Sequence, residues 1–359
     1  MAEFSGQLRP NEIFGALYNM IISQQVFADN IKGTKSTLVD MARIDGSLYG
    51  DTKLYYSTDV LKSAPWGNDA EAKNLLELYR PNAPEVQAIH LDIFRQICLT
   101  VDNYLSKRAW GTESAFSEFN SVMLGWIRDT KRVYDSTLYN AYIGTAQSAI
   151  GEQIKTIALP TDADAEAEAR LQAEKIAEEM ANLLVALEDV SRDYNDYGNL
   201  RSYDSSDLIF VWNAAVVNKI TKRDLPTIFH KDGLIDKIGQ HTLPARYFGT
   251  VNTSAGSGDG STIRSLVEKD YGATHCFPGD LVPSGEAYEA NETYTVDPTI
   301  AFKVMHKRSV PFMSAFEVGT SFFNPKSLTE THYLTWGHNT LEYLKNYPFI
   351  TVKVTGLQA

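Results

Sequence analysis

EVQAIHLDIFRQICLTVD, residues 85–102, is the most strand-like run in the chain. Ile89, Leu91, Ile93, Ile97, Leu99 and Val101 alternate onto one face, and Arg95 is the one break in the pattern. Strands in globular proteins usually stop within about 3–10 residues. A run this long predicts an arm that projects from the body, or a strand that bends midway. Upstream, GDTKLYYSTDVL (50–61) follows a glycine and is rich in Tyr and Thr, which predicts a companion strand. Between the two lie the breakers Pro65-Trp66-Gly67 and Pro81-Asn82-Ala83-Pro84, with a short helical turn expected in DAEAKNLLELY (69–79). Residues 48–103 are therefore expected to form a two-stranded excursion.

The flanking segments read as longer helices and further strands. Phe116, Phe119, Met123, Trp126, Ile127, Val133, Tyr134, Leu138 and Ala141 recur at helical spacing, predicting one helix over 112–143. Thr112 or Ser114 is placed to cap it and Gly144 to end it. A second helix is expected after Pro160, with a buried stripe of Ala169, Ala173, Ile176, Met180, Leu183, Leu187 and Val190. Residues 162–196 hold eleven acidic against three basic residues, a net of −8 out of −12 for the chain. A solvated helix face accounts for that charge. SDLIFVWNAAVVNKI (206–220) reads as a buried strand running into a turn, and TKRDLPTIFH (221–230) as a short helix. An amphipathic helix is expected over 11–27. VPFMSAFEVGTSFF, ETHYLTWGHNTLEYL and PFITVKV supply strands near the C-terminus. Long helices mixed with strands outside regular βαβ alternation predict an α+β fold.

Composition limits the functions open to the chain. Its 359 residues allow a sizeable core, and 43% hydrophobic with 22% charged residues is ordinary for a globular protein. No apolar run approaches the roughly 18 residues of a membrane span, so no membrane partner is expected. The start, MAEFSGQLRPNEIFGALY, does not read as a signal peptide. Two cysteines, Cys98 and Cys276, make no disulfide framework or zinc pattern, and Cys98 sits in an apolar run that reads as core. The net charge of −12, with no dense cluster of Lys and Arg, argues against a tight grip on nucleic acid.

No catalytic constellation emerges. TSAGSGDGST (253–262) precedes an apparent helix, where glycine loops elsewhere cradle phosphate. It lacks the lysine of a GxxxxGK[ST] loop and has GxGxG spacing rather than GxGxxG, so it reads as a flexible surface loop. His275 and Cys276 are sequence neighbours followed by Asp280, a poor geometry for a nucleophile and its base. His332 and His338, with Trp336 between them, would share a strand face; packing or interface contact explains them better than a metal. No cofactor is expected. The 19 Tyr, 16 Phe and 5 Trp instead favour surfaces that become buried against partners.

The series of elements resembles the major capsid protein of tailed bacteriophages, the Hong Kong 97-type fold, and within it the short-tailed phages of the phi29 type and related gut phages. GSLYGDTKLYYSTDV (46–60) resembles the entry into that family's E-loop, and residues 68–110 resemble the loop and its return strand. FSEFNSVMLGWIRDTKRVYDSTLYNAYI resembles the spine helix, and residues 201–230 the strand, turn and helix of the axial domain. The resemblance implies an N-terminal arm (1–47), an E-loop hairpin (48–103), a peripheral domain with the spine helix (104–160), an axial domain (161–296) and peripheral-domain strands (297–359). It implies a structural subunit, not an enzyme, that self-assembles through pentamers and hexamers into an icosahedral head around double-stranded DNA. The implied partners are further copies, a portal protein and a separate scaffolding protein. The implied location is the virion, after assembly in the host cytoplasm. Tyr55, Tyr56 and Trp66 are the expected E-loop contacts between subunits.

The chain departs from some relatives. No long acidic or coiled segment precedes residue 46, which is why scaffolding is expected as a separate protein. Lys53, Lys62 and Lys73 lie in the excursion, but nothing marks one for a covalent cross-link, and none is expected. No C-terminal immunoglobulin-like domain is expected. The same fold would also serve an encapsulin-type shell around a cargo enzyme, and an enzyme whose site the sequence does not betray is the remaining alternative.

Overall fold

Glu85–Asp102 is one strand of 18 residues, and it changes partners along its length. The structure, a computed structural model, describes residues 37–46, 52–63, 80–102, 113–221, 239–252 and 293–356. In chain order these form α1 (Thr37–Ala42), β1 (Arg43–Asp45), β2 (Thr52–Ser57), β3 (Glu85–Asp102), α2 (Glu113–Thr145), β4 (Ile154–Ala158), α3 (Ala165–Glu188), β5 (Leu208–Asn213), α4 (Ala214–Thr221) and β6 (Gly239–Leu243). There follow β7 (Gly249–Asn252), β8 (Thr293–Val296), β9 (Ile300–His306), β10 (Phe312–Asn324), β11 (Thr329–Asn339) and β12 (Phe349–Thr355). The helices expected at 11–27, 69–79 and 221–230, the glycine loop and the His275–Cys276 pair lie outside the described residues, apart from Thr221 at the end of α4.

The first sheet has the order β1-β10-β11-β3-β2. β2 pairs antiparallel with the start of β3, from Thr52↔His90 to Ser57↔Glu85. Beyond that point β11 takes over, from Asn339↔Leu91 to Thr329↔Asp102. The expected two-stranded excursion is thus corrected: among the described residues it is paired as a hairpin only at its root, and most of the return strand pairs with β11. The odd-numbered apolar face explains why, since a bare ribbon has no layer to bury it against. Ile89, Leu91 and Ile93 are buried by their own chain, the first two beside Met313, Ala315 and Leu344. Cys98 is exposed rather than core, because an even position on β3 points to the opposite face.

The second sheet, β4-β12-β9-β5-β6, is a buried middle layer. Every residue of β5 and β9 is buried. Ile209, Val211, Ile300, Met305 and Phe349 pack with Tyr139, Tyr142 and Ile143 of α2. The alternate positions Leu208, Phe210, Trp212, Phe302, Val304 and Val352 pack with Ile176, Met180, Leu183, Leu184 and Leu187 of α3. Most of the stripe expected on α3 thus packs on the second sheet. Val190 falls beyond its last turn and is exposed. Glu174, Glu178 and Glu188 face solvent, with Lys175 bridging Glu178 and Glu179 at 2.9 and 3.0 Å; the side chain of Glu166 lies outside those described.

Two further expectations change. The single strand set expected over 297–359 is divided: β10 and β11 join β3, whereas β9 and β12 join β4, β5 and β6. The turn expected after the 208–213 strand is a helix of eight residues, α4. Asn213 caps it, accepting the Ala215 N–H at 3.0 Å through Oδ1.

The C-terminus of α2 is where helix and middle sheet meet most closely. Gly144, expected to stop the helix, lies inside it. A Cβ there would sit 1.9 Å from the backbone oxygen of Tyr247, so the glycine permits close approach of the 245–247 turn. No basic residue occupies the last turn of α2. Lys303 of β9 instead donates its ammonium to the Ala146 carbonyl and lies 5.3 Å from the Phe349 ring centroid. A cation at this end suits the helix dipole.

Two outcomes follow. Gly144→Ala lowers subunit stability in urea titration by about 2 kcal/mol through overpacking, although alanine is the better helix former by roughly 1 kcal/mol. An unchanged or raised midpoint contradicts the close-approach reading. Burial, reinforced by the nearby Lys353 charge and opposed by Asp297, depresses the Lys303 pKa to about 7. The folded state thus sheds this proton before the unfolded state does. Stability gains from this group as pH rises from about 7 toward its ordinary value of 10.5, by up to about 1.4 kcal/mol per pH unit. Lys303→Met removes that part of the slope; a slope identical to wild type contradicts it.

Candidate assembly interface

The polar groups buried in the molecule serve packing. No group of three or more His, Cys, Asp or Glu could hold a metal among the described residues. His332 and His338 share a strand but not a site. His338 is fully buried, hydrogen-bonded to Tyr134 Oη at 2.9 Å and to the Asn339 carbonyl at 3.0 Å, and stacked on Phe312. His332 instead lines an open cleft of about 350 Å³ with Ile127, Arg128 and Leu334. His306 stacks on Tyr347 with centroids 4.3 Å apart, and burial lowers its pKa to about 4, keeping the ring neutral. Asp135 is held between Arg43 at 3.0 Å and Lys131 at 3.3 Å, joining β1 to α2; burial nevertheless raises its pKa.

The surface is more telling. All even positions of β3 from His90 to Thr100 are exposed. The register carries this face across the sheet, placing Val318, Thr335 and Gln96 in one row and Phe322, Thr331 and Thr100 in another. At the other end Leu54 stands opposite Ala88 and Tyr56 opposite Val86. Leu54, Tyr56, Val86, Phe94, Val318 and Phe322 are all exposed on this one face. Phe94 lies against Gly337, where an added Cβ would come within 2.9 Å of its ring. Phe322 and Phe323 are adjacent on β10, so they point to opposite sides of the hairpin, and both are exposed.

The expected interface residues separate. Tyr56 is 65% exposed. Tyr55 points the other way and packs against the cluster of Ile89, Leu91 and Leu344, and burial raises its phenol pKa. Its area is therefore partly lost within its own subunit rather than left wholly for a neighbour. Trp66 lies outside the described residues. Leu54, Val86, Phe94, Val318 and Phe322 were not singled out from sequence. For Val86 and Phe94 the signal was apolar residues on the even side of a strand whose odd side is already apolar; Leu54, Val318 and Phe322 join that face only through the register.

A sheet face with this much exposed apolar surface is suited to covering by another protein, and no set of side chains described here is arranged to perform a reaction. No curated protein matches the sequence. The fold matches the capsid of Staphylococcus phage Andhra at 12% identity and a TM-score of 0.64, covering 92% of this chain and 87% of that one. A chain in the structure of the head fiber and inner core protein gp22 of native bacteriophage P68 matches at 12% identity and 0.61, covering 88% and 83%. The capsid of an empty GTA particle matches at 12% identity and 0.50, covering 95% and 98%. The mixed helix-and-sheet fold is thus the Hong Kong 97-type capsid fold. Residues 7–351 match the family of Phi29-like phage major capsid proteins, and the chain belongs to that family as a structural subunit that assembles with its own copies into the phage capsid shell.

Proposed function

We propose that this subunit builds an icosahedral head of pentamers and hexamers around double-stranded DNA, using the outward face of the first sheet as its principal contact with a neighbouring copy. The observation that carries this reading is the exposed set Leu54, Tyr56 and Val86 at the root of the 48–103 excursion. Aromatic anchors dominate such contacts, each contributing on the order of 2 kcal/mol. Repetition around a shell multiplies a small pairwise gain. In this reading the excursion is the E-loop, with Trp66 as a further contact, and Tyr55 anchors the loop to its own body.

The first sheet with α2 forms the peripheral part, and the second sheet with α3 the axial part. A portal protein occupies one vertex and a separate scaffolding protein directs closure, in the host cytoplasm. The net charge of −12 fits a wall that contacts packaged DNA non-specifically, without gripping its phosphates. Nuclease-protected DNA inside the native particle supports this use of the shell; a cargo protein in place of DNA contradicts it.

Tyr56→Ala reduces the yield of closed particles severalfold in negative-stain images, while circular dichroism of the isolated subunit is unchanged. Tyr55→Ala lowers the subunit's own melting temperature. Normal particle yield from Tyr56→Ala contradicts the proposed contact, as does a Tyr55→Ala subunit as stable as wild type.

A further inference from the structure

The root of the excursion is held to the body by a polar junction. Ser57, the last residue of β2, is buried although polar. Its hydroxyl donates to Asn346 Oδ1 at 2.6 Å and accepts from Asn199 Nδ2 at 2.8 Å. Arg201 donates to the Thr58 carbonyl at 2.5 Å, to Ser57 Oγ at 3.3 Å and to Asn346 Oδ1 at 3.2 Å.

One residue further on, Asp59 takes hold of the same loop. Its Oδ1 accepts the Leu200 N–H at 3.0 Å, and its Oδ2 accepts from Arg192 at 2.8 Å. Arg192 also donates to the Gly198 carbonyl at 2.7 Å. Gly198 has φ +64, so the loop turns there in a conformation that favours glycine. The returning strand is tied down as well: Gln87 donates to the Tyr343 carbonyl and accepts the Lys345 N–H, each at 3.0 Å.

Apolar packing does not explain the path of the outgoing chain. Val60 and Leu61 are 52% and 77% exposed immediately after the junction. The chain is steered at Ser57–Asp59 by hydrogen bonds and one ion pair. The Asp59–Arg192 pair reaches the surface, and an exposed contact of this kind opens far more readily than a packed core.

We infer that Asp59, Arg192 and Arg201 form a releasable latch that sets the direction in which the 48–103 excursion leaves the body, and are positioning residues for shell assembly. The partner of the excursion is a second copy of this chain, and for that part the inference rests on the function proposed above. The latch itself does not depend on that reading.

The test uses the full chain carrying Arg192→Ala, Asp59→Asn or Arg192→Lys. Hydrogen exchange on the unassembled subunit should accelerate about tenfold or more in 52–60 and 85–90 for the first two variants, with the melting temperature unchanged. Arg192→Lys, which keeps a cation within reach of Asp59, should restore part of the protection. The same two variants should give particles of mixed diameter or incomplete closure in negative stain. Unchanged exchange overturns the latch. Faster exchange throughout, with a lowered melting temperature, makes these residues part of the global fold and also overturns it. Local release with uniform, closed particles overturns their role in assembly. Failure of the parent reading would show separately, as normal assembly of Tyr56→Ala.

Discussion

The structure depends on one strand having to satisfy two partners. β3 offers two edges and two faces over 18 residues. Its first third is paired by β2 and the remainder by β11. A backbone left unpaired over that length would expose a row of donors and acceptors, and a bare hairpin would leave the odd-numbered apolar face in water. Dividing the pairing solves both, and it makes the excursion a rigid continuation of the body sheet up to Ser57. The latch around Asp59 begins where that continuity stops.

The same economy governs the interior. The second sheet is covered on both faces, by α2 on one side and α3 on the other. Alternation along β5 and β9 sends neighbouring residues into different cores, so a one-residue slip would exchange them. Two local features hold the sheet against the end of α2: the absent side chain at Gly144 and the ammonium of Lys303 on the Ala146 carbonyl. A charged group in an apolar layer lowers stability, yet it supplies a bond to a helix-end carbonyl that α2's own last turn does not provide. Rigid layers inside and an apolar face outside suit a molecule whose work is to be a wall.

Much of the architecture was legible in the sequence because it is written in periodicity. The helix at 113–145, the stripe of α3, the alternation of β3 and the C-terminal strands all follow local spacing. What escaped depends on non-local pairing. Nothing near residue 91 announces that β11 replaces β2, and nothing near 300 or 349 assigns β9 and β12 to a sheet apart from β10. Cys98 was misread because an apolar average over a strand hides which side each residue takes. Gly144 looked like a helix stop, since the Tyr247 backbone that demands it lies about a hundred residues away. Tyr56 was legible as an interface candidate from residue type, whereas its separation from Tyr55 required the register. The latch was invisible, because Asp59, Arg192 and Arg201 are ordinary charged residues until the fold brings them together.

The central claim is that the excursion is an extension of its own subunit's sheet whose outward face is completed by a neighbour. A cryo-electron reconstruction of the assembled particle tests it directly. The account predicts β3 paired with β11 of the same chain in every copy, with Leu54, Tyr56 and Val86 covered by an adjacent subunit. Finding β11 supplied to β3 by a different chain, or those three side chains facing solvent in every copy, would contradict it.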